Sequence, residues 1–298
     1  MRYVDRWEPE DNTRLFPELG EGTVFPQPDI IANLDSDRLQ ALDNDSEDFV
    51  IASHVLEHLA NPIAMIAEVY RVLRPGGVLL ILLPDRHVTF DRFREPTALD
   101  HLIAEFEDDV REVDDSHIVE FIRATAPRDA PLSEFLSDDP EERRRQIRVH
   151  RDRSIHAHCW DQDEFIPVVT FCIGQLGQRW EFVDALLTQE GGDDSIEFGI
   201  LLRKSIIALQ PDVMAERFDL AWNSWREVHT RHMDEQLQLR LLEAKSESIG
   251  AQFQELVAQV ELKNQQVGVV QGELAALQRT KTFRYTEFGR RAYSRFTR

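Results

Sequence analysis

Three of the five residues in His54-Val55-Leu56-Glu57-His58 are ionisable, and their types and spacing suit proton chemistry. An unperturbed imidazole titrates near pH ~6.5, so His54 and His58 are candidate bases for an acceptor hydroxyl. Glu57 and His58 follow by three and four positions, a spacing that would put all three on one helix face. In a plainer alternative, Glu57 and His58 cap or brace the start of a helix. Two acids stand apart from this run, Asp5 in YVDRW and Asp35 in DIIANLDSD, each beside a short apolar stretch.

A second cluster is His156, His158 and Cys159 in SIHAHCW. Histidines at alternate positions of a strand share a face and could hold a metal. No CxxC or second pair accompanies them, so the stretch reads as pocket wall or structural, and no metal is expected. HVLEH also fits the His-x-x-Glu-His pattern of inverted zinc peptidases, which need it inside a long helix with a third ligand downstream. Here it follows an apolar run directly and precedes Asn61-Pro62, where a helix restarts, so that reading is disfavoured.

The elements that must hold these residues are legible around them. DFVIAS (48–53) and VLLILLP (78–84) are continuous apolar runs, as strands covered on both faces should be. Between them Pro62 opens a helix in which Ile63, Ile66, Ala67, Tyr70 and Leu73 recur at helical spacing, and Pro75-Gly76-Gly77 stops it and turns the chain. Strand, helix and strand in under forty residues form a crossover unit of an α/β domain. The polar stretch 92–160 reads as a helical insertion. A helix near Asp163–Leu176 follows, then strands at 180–187 and 196–204, joined as a hairpin by Gly191-Gly192-Asp193-Asp194.

The segment DFVIASHVLEHLANPIAMIAEVYRVLRPGGVLLILLPD (48–85) resembles the central block of class I S-adenosylmethionine-dependent methyltransferases. It is particularly similar to a branch associated with surface-polysaccharide biosynthesis. RVLRPGG (71–77) is similar to these enzymes' usual entry to the next strand. The resemblance spans about Tyr3 to Lys204. It implies a Rossmann-like sheet with the cofactor lying across the strand tips. It implies further that Asp5 binds the ribose hydroxyls, that Asp35 (or Asp37) faces the adenine, and that Ser53 and His54 face the methionine end. His54 and His58 are then the catalytic candidates, and S-adenosylmethionine the cofactor. The family's Gly-rich loop and first strand are absent upstream of Asp5, so the expected fold is this sheet with its first strand missing. Two explanations compete, a shortened chain and a degenerate relative, and poor cofactor binding is expected of either.

Beyond Pro211 the pattern becomes heptad. With Leu239, Ser246, Phe253, Val260, Val267 and Leu274 at position a, position d takes Leu242, Ile249, Leu256, Lys263, Val270 and Leu277; ten of the twelve are apolar. Sustained heptads of this kind indicate a coiled coil and hence homo-oligomerisation. The domains expected are thus 1–208, methyltransferase-like with its insertion at 92–160, a coiled coil at 212–280 and a tail at 281–298.

The chain carries 34 basic and 55 acidic side chains, net −21, which argues against broad binding to nucleic-acid phosphates. Yet RTKTFRYTEFGRRAYSRFTR (279–298) has seven basic residues against one acid and five interleaved aromatics, which suits anionic lipid headgroups. With two cysteines, no signal sequence and no apolar run of ~20 residues, a cytoplasmic chain peripheral to the inner face of the membrane is expected. The resemblance implies methyl transfer to a hydroxyl of a sugar or glycan intermediate. A non-catalytic oligomerising adaptor on a truncated or degenerate methyltransferase fold is the alternative.

Overall fold

The computed structural model describes residues 1–20, 22–125, 135–191, 195–279 and 291. Most of the expected Gly191–Asp194 turn and nearly all of the basic aromatic tail lie outside them. The chain opens with β1 (Val4–Asp5), α1 (Pro9–Leu15) and β2 (Ile30–Ile31), then runs through β3 (Glu47–Ser53), α2 (Pro62–Val72) and β4 (Leu73–Pro84). Helices α3 (Leu99–Glu107), α4 (Asp115–Thr125) and α5 (Pro140–Asp152) follow. The order closes with α6 (Gln162–Gly174), β5 (Trp180–Leu186), β6 (Glu197–Lys204) and the 69-residue α7 (Pro211–Arg279).

β1 and β2 pair in parallel as a sheet of their own, with Asp5 opposite Ile31. The larger sheet has the order β3-β4-β6-β5; β3 and β4 are parallel, and β6 runs antiparallel to both its neighbours. No strand ladder joins the two sheets among the described residues, although the Arg2 guanidinium bonds Glu47 of β3.

The expectation that 48–53 and 78–84 are covered on both faces is corrected. Leu79, Ile81 and Leu83 are buried, but Val78, Leu80 and Leu82 between them are only partly covered, and on β3 Phe49 and Ile51 are 43% and 53% exposed. The sheet therefore packs its core on one face. That core joins Ile63, Ile66, Val69 and Val72 of α2, Phe165, Val169 and Cys172 of α6, and Phe198, Ile200 and Leu202 of β6. Each such buried side chain stabilises the fold by roughly 1.5–3 kcal/mol.

Pro75-Gly76-Gly77 forms a bulge inside β4. Glu47 pairs with Leu73 and Phe49 with Val78, so five steps on one strand oppose two on the other. Gly76 sits at φ +85°, and a Cβ on Gly77 would lie 2.9 Å from the Arg74 carbonyl oxygen, so both positions need glycine. Within the expected insertion the described residues form helices and no strand.

The chain divides into two compact units, Met1–Val228 and His229–Arg298, so the boundary falls inside α7 and not before it. The reason is that Met214, Phe218 and Trp222, on the first turns of α7, are buried in the domain core. In the second unit all ten apolar heptad residues are exposed. No described helix is long and apolar enough to cross a membrane.

Candidate functional site

His54, Glu57 and His58 lie where β3 ends, while Asp5 and Asp35 lie at the tip of β1 and just beyond that of β2. His54 continues the β3 ladder by donating its backbone N–H to Leu82 O (2.9 Å), then turns the chain sharply at φ +50°. A non-glycine residue in that left-handed region costs about 1–2 kcal/mol. Leu56–His58 is a short 3-10 turn that ends at extended Leu59, and α2 starts afresh at Asn61, whose Oδ1 caps it by accepting from Ala64 N (2.9 Å). The single helix face expected for His54, Glu57 and His58 is therefore corrected, because the left-handed turn separates His54 from the helix. The long helix required by a peptidase motif is absent for the same reason.

The turn nonetheless brings the three side chains together. The buried Glu57 carboxyl lies 3.5 Å from His54 Nδ1 and 3.7 Å from His58 Nε2, and neither approach has hydrogen-bond geometry. Burial pushes the Glu57 pKa up to about 8, so at neutral pH this group is mostly an uncharged acid. Burial, with His156 alongside, pushes His58 down to about 4, and its Nδ1 donates to Ile155 O at 2.8 Å. His58 is thus a neutral, weakly basic imidazole.

His54 is placed differently. Its Nε2 lies 2.7 Å from Glu197 Oε2, and both side chains are one-third exposed. A carboxylate accepts at Nε2–H, which leaves the lone pair on Nδ1. Sequence reasoning missed Glu197. It reaches His54 because the antiparallel register of β4 and β6 sets Glu197 opposite Pro84, at the tip of β4.

Asp91 and Arg94 were missed too. Both are buried and ion-paired at 2.8 Å. His156 Nδ1 lies 2.6 Å from Asp91 Oδ2, while Arg94 donates to His156 O (2.8 Å) and Ala157 O (3.0 Å). This pair lashes the 156–157 backbone in place and sets the His156 ring edge-on to His58, with centroids 4.8 Å apart. Burial pushes the Cys159 thiol up to about 12.

Asp5 ends β1, where it accepts from Tyr3 Oη (2.7 Å) and Trp7 N (3.1 Å). Asp35 follows β2 and reaches the start of α2, its Oδ1 accepting from Ala60 N at 2.8 Å. Burial raises the pKa of Asp35, against the opposing pull of that bond and of Arg6. Asp37 instead turns back on its own loop, accepting from Asn33 N (3.0 Å). Ser53 is the last residue of β3, exposed, opposite Leu82.

A nucleoside calls for hydrogen-bond acceptors, and Asp5 and Asp35 offer carboxylates at the ends of two paired strands; that part of the site fits S-adenosylmethionine. Among the described residues of the site, no glycine follows the tip of β1 or β3 to let a backbone approach its methionine end.

Residues 23–81 match the family model of a methyltransferase domain. No curated protein matches the chain. Among solved structures it is similar to a SAM-dependent methyltransferase from Methanosarcina mazei (18% identity, covering 68% of this chain and 81% of that one, TM-score 0.31). It is also similar to a SAM-dependent methyltransferase from Thermotoga maritima (14%, 68% and 72%, TM-score 0.32) and to a Rhodobacter sphaeroides protein named as a Zn-dependent alcohol dehydrogenase (11%, 67% and 73%, TM-score 0.39). The domain matched at 23–81 supports methylation in general, and S-adenosylmethionine is the cofactor it implies.

Proposed function

We propose that the chain is an S-adenosylmethionine-dependent methyltransferase acting on a hydroxyl, with a sugar or glycan intermediate as acceptor. The observation that carries this reading is the β3–turn–α2–β4 unit, which the matched stretch covers up to Ile81, with Asp35 bonded to it and His54 at the tip of β3. Asp5 and Asp35 would hold the nucleoside, and Ser53 the methionine side. When bound, the cofactor supplies an electrophilic methyl group, so the protein mainly orients the acceptor. His54 takes the acceptor proton at Nδ1, and Glu197, held at Nε2, steadies the imidazolium that forms. His58, with its pKa near 4, braces the turn.

The larger sheet stands open at β3, where Phe49 and Ile51 are exposed. An additional strand pairing between β1 and β3 would complete it, and the methionine end of the cofactor would depend on that strand. The exposed heptad row favours a second reading, an oligomerising adaptor built on the same fold. In either reading the row pairs copies of the chain as a coiled coil, and the basic tail rests on anionic lipid at the cytoplasmic face.

Titration calorimetry with S-adenosylmethionine separates the two. Saturable binding to the full chain, weakened at least tenfold by Asp5→Ala, supports the enzyme, and S-adenosylhomocysteine release with a hydroxylated glycan then tests the acceptor. No binding, together with a stable oligomer in sedimentation, supports the adaptor.

A further inference from the structure

Away from His54, three segments distant in sequence meet at a second group of ligating side chains. His101 and Glu105 lie four residues apart on α3, and so share one face of it. His117 comes from the first turn of α4, and His158 from the extended segment before α6. One ligand atom from each lies within 4.8 Å of all the others.

We propose that His101, Glu105, His117 and His158 form a binding site for a divalent transition-metal ion of the zinc class. His101 Nε2 and His117 Nε2 are 3.0 Å apart, each is 3.2 Å from Glu105 Oε1, and His158 Nε2 is 3.5 Å from Glu105 Oε2. Ligands about 2.0–2.1 Å from a tetrahedral ion stand roughly 3.3 Å from one another, so these spacings are those of a coordination shell.

Polar satisfaction points the same way. The His158 side chain is wholly buried and that of Glu105 is 8% exposed, yet neither His158 nitrogen and neither Glu105 oxygen has a hydrogen-bond partner. Leaving buried polar atoms unpaired costs about 1–3 kcal/mol each, so several together call for an absent partner. An ion accepting one lone pair from each residue would satisfy His158 Nε2 and the carboxylate together.

The surroundings are those of a metal site. His117 Nδ1 is bonded to Asp114 Oδ1 at 2.8 Å, which directs its Nε2 inward and raises its donor strength. His158 stacks on Trp160 with centroids 5.6 Å apart. The His101 side chain is 47% exposed and opens the group to solvent, which gives an ion its way in. Coordination here would cross-link α3, α4 and the segment leading into α6.

The test uses the full chain, loaded with zinc or cobalt(II), dialysed, and assayed by plasma mass spectrometry. About one ion per chain is expected, with the intense visible absorption of a four-coordinate cobalt site. His101→Ala, at an exposed position, and His117→Ala should each lower the bound ion at least tenfold while circular dichroism stays native, whereas Glu57→Gln should retain it. Chelation should lower the thermal midpoint of the wild type and leave that of His117→Ala unmoved. A natively folded wild type that holds no ion after loading, or an ion kept by both histidine variants, overturns the proposal. Since none of these readouts involves S-adenosylmethionine, the result is independent of the methyltransferase reading.

Discussion

Two carboxylate–imidazole clusters draw on the same short segment, and they are built in opposite ways. His156 joins Glu57 and His58, while His158, two residues on, joins His101, Glu105 and His117. In the first cluster each histidine Nδ1 has a fixed protein partner, Ile155 O for His58 and Asp91 for His156, and the carboxyl is held protonated by burial. In the second the ring nitrogens converge on one another and on a carboxylate with no partner of its own. The difference teaches that residue type does not determine use: in the first cluster the bonded Nδ1 atoms hold the rings as struts, and in the second the Nε2 atoms converge as ligands would.

The strongest way to break the contrast is through Arg94, which anchors the shared segment. Arg94→Ala leaves Asp91 buried without its cation and frees the carbonyls of His156 and Ala157. Breaking one side of such a pair costs roughly 3–5 kcal/mol, which urea unfolding would read directly. Both clusters should suffer together. A loss below ~1 kcal/mol would show that the segment is held by other means.

Glu57→Gln sharpens the comparison by acting on the first cluster alone. Between pH 4.5 and about 8 the folded protein keeps a proton on Glu57 that the unfolded chain has released, so this group's contribution to stability falls as pH rises. His58 works in the other direction: the unfolded chain holds a proton between about pH 4 and 6.5 that the folded protein does not, so its contribution rises with pH there. From pH 6.5 to 8 the Glu57 slope is therefore unopposed. Glutamine removes it, and the variant should gain roughly 2–4 kcal/mol on the wild type by pH 8. Thermal unfolding at stepped pH checks this, and parallel slopes for the two proteins would sink it.

What the sequence disclosed follows from distance along the chain. β3, α2 and β4 were readable because apolar runs, Asn61 and Pro62 act on their immediate neighbours. Coverage of the sheet was not, since a run such as VLLILLP looks alike whether one face or two are packed. Glu197 was illegible because its partner lies 143 positions away and only the β4–β6 register joins them. Asp91 and Arg94 act over about sixty positions in the same way. His-x-His suggested rings sharing a strand face, but the buried Asp91–Arg94 pair claims His156 and leaves His158 to α3 and α4. His101 and His117 had no mark beyond being single histidines in an acidic stretch.

The smallest predicted effect concerns a side chain that touches elements of both clusters. Asn61 caps α2 through Oδ1 and donates through Nδ2 to Glu105 O at 2.9 Å, which ties the helix behind Glu57 to the C-terminal end of α3. Asn61→Ala loses both bonds. A lost cap costs about 1 kcal/mol, and the buried carbonyl left behind adds a similar amount. Asn61→Ser keeps a cap acceptor but cannot span to Glu105, so it should recover about half of the loss. Urea midpoints at constant slope would separate the two contributions. If the serine variant matches the wild type, the bond to Glu105 carries no weight and α3 is placed by the packing of Leu99, Leu102, Ile103 and Phe106; if it matches alanine, the link across the clusters is what Asn61 supplies.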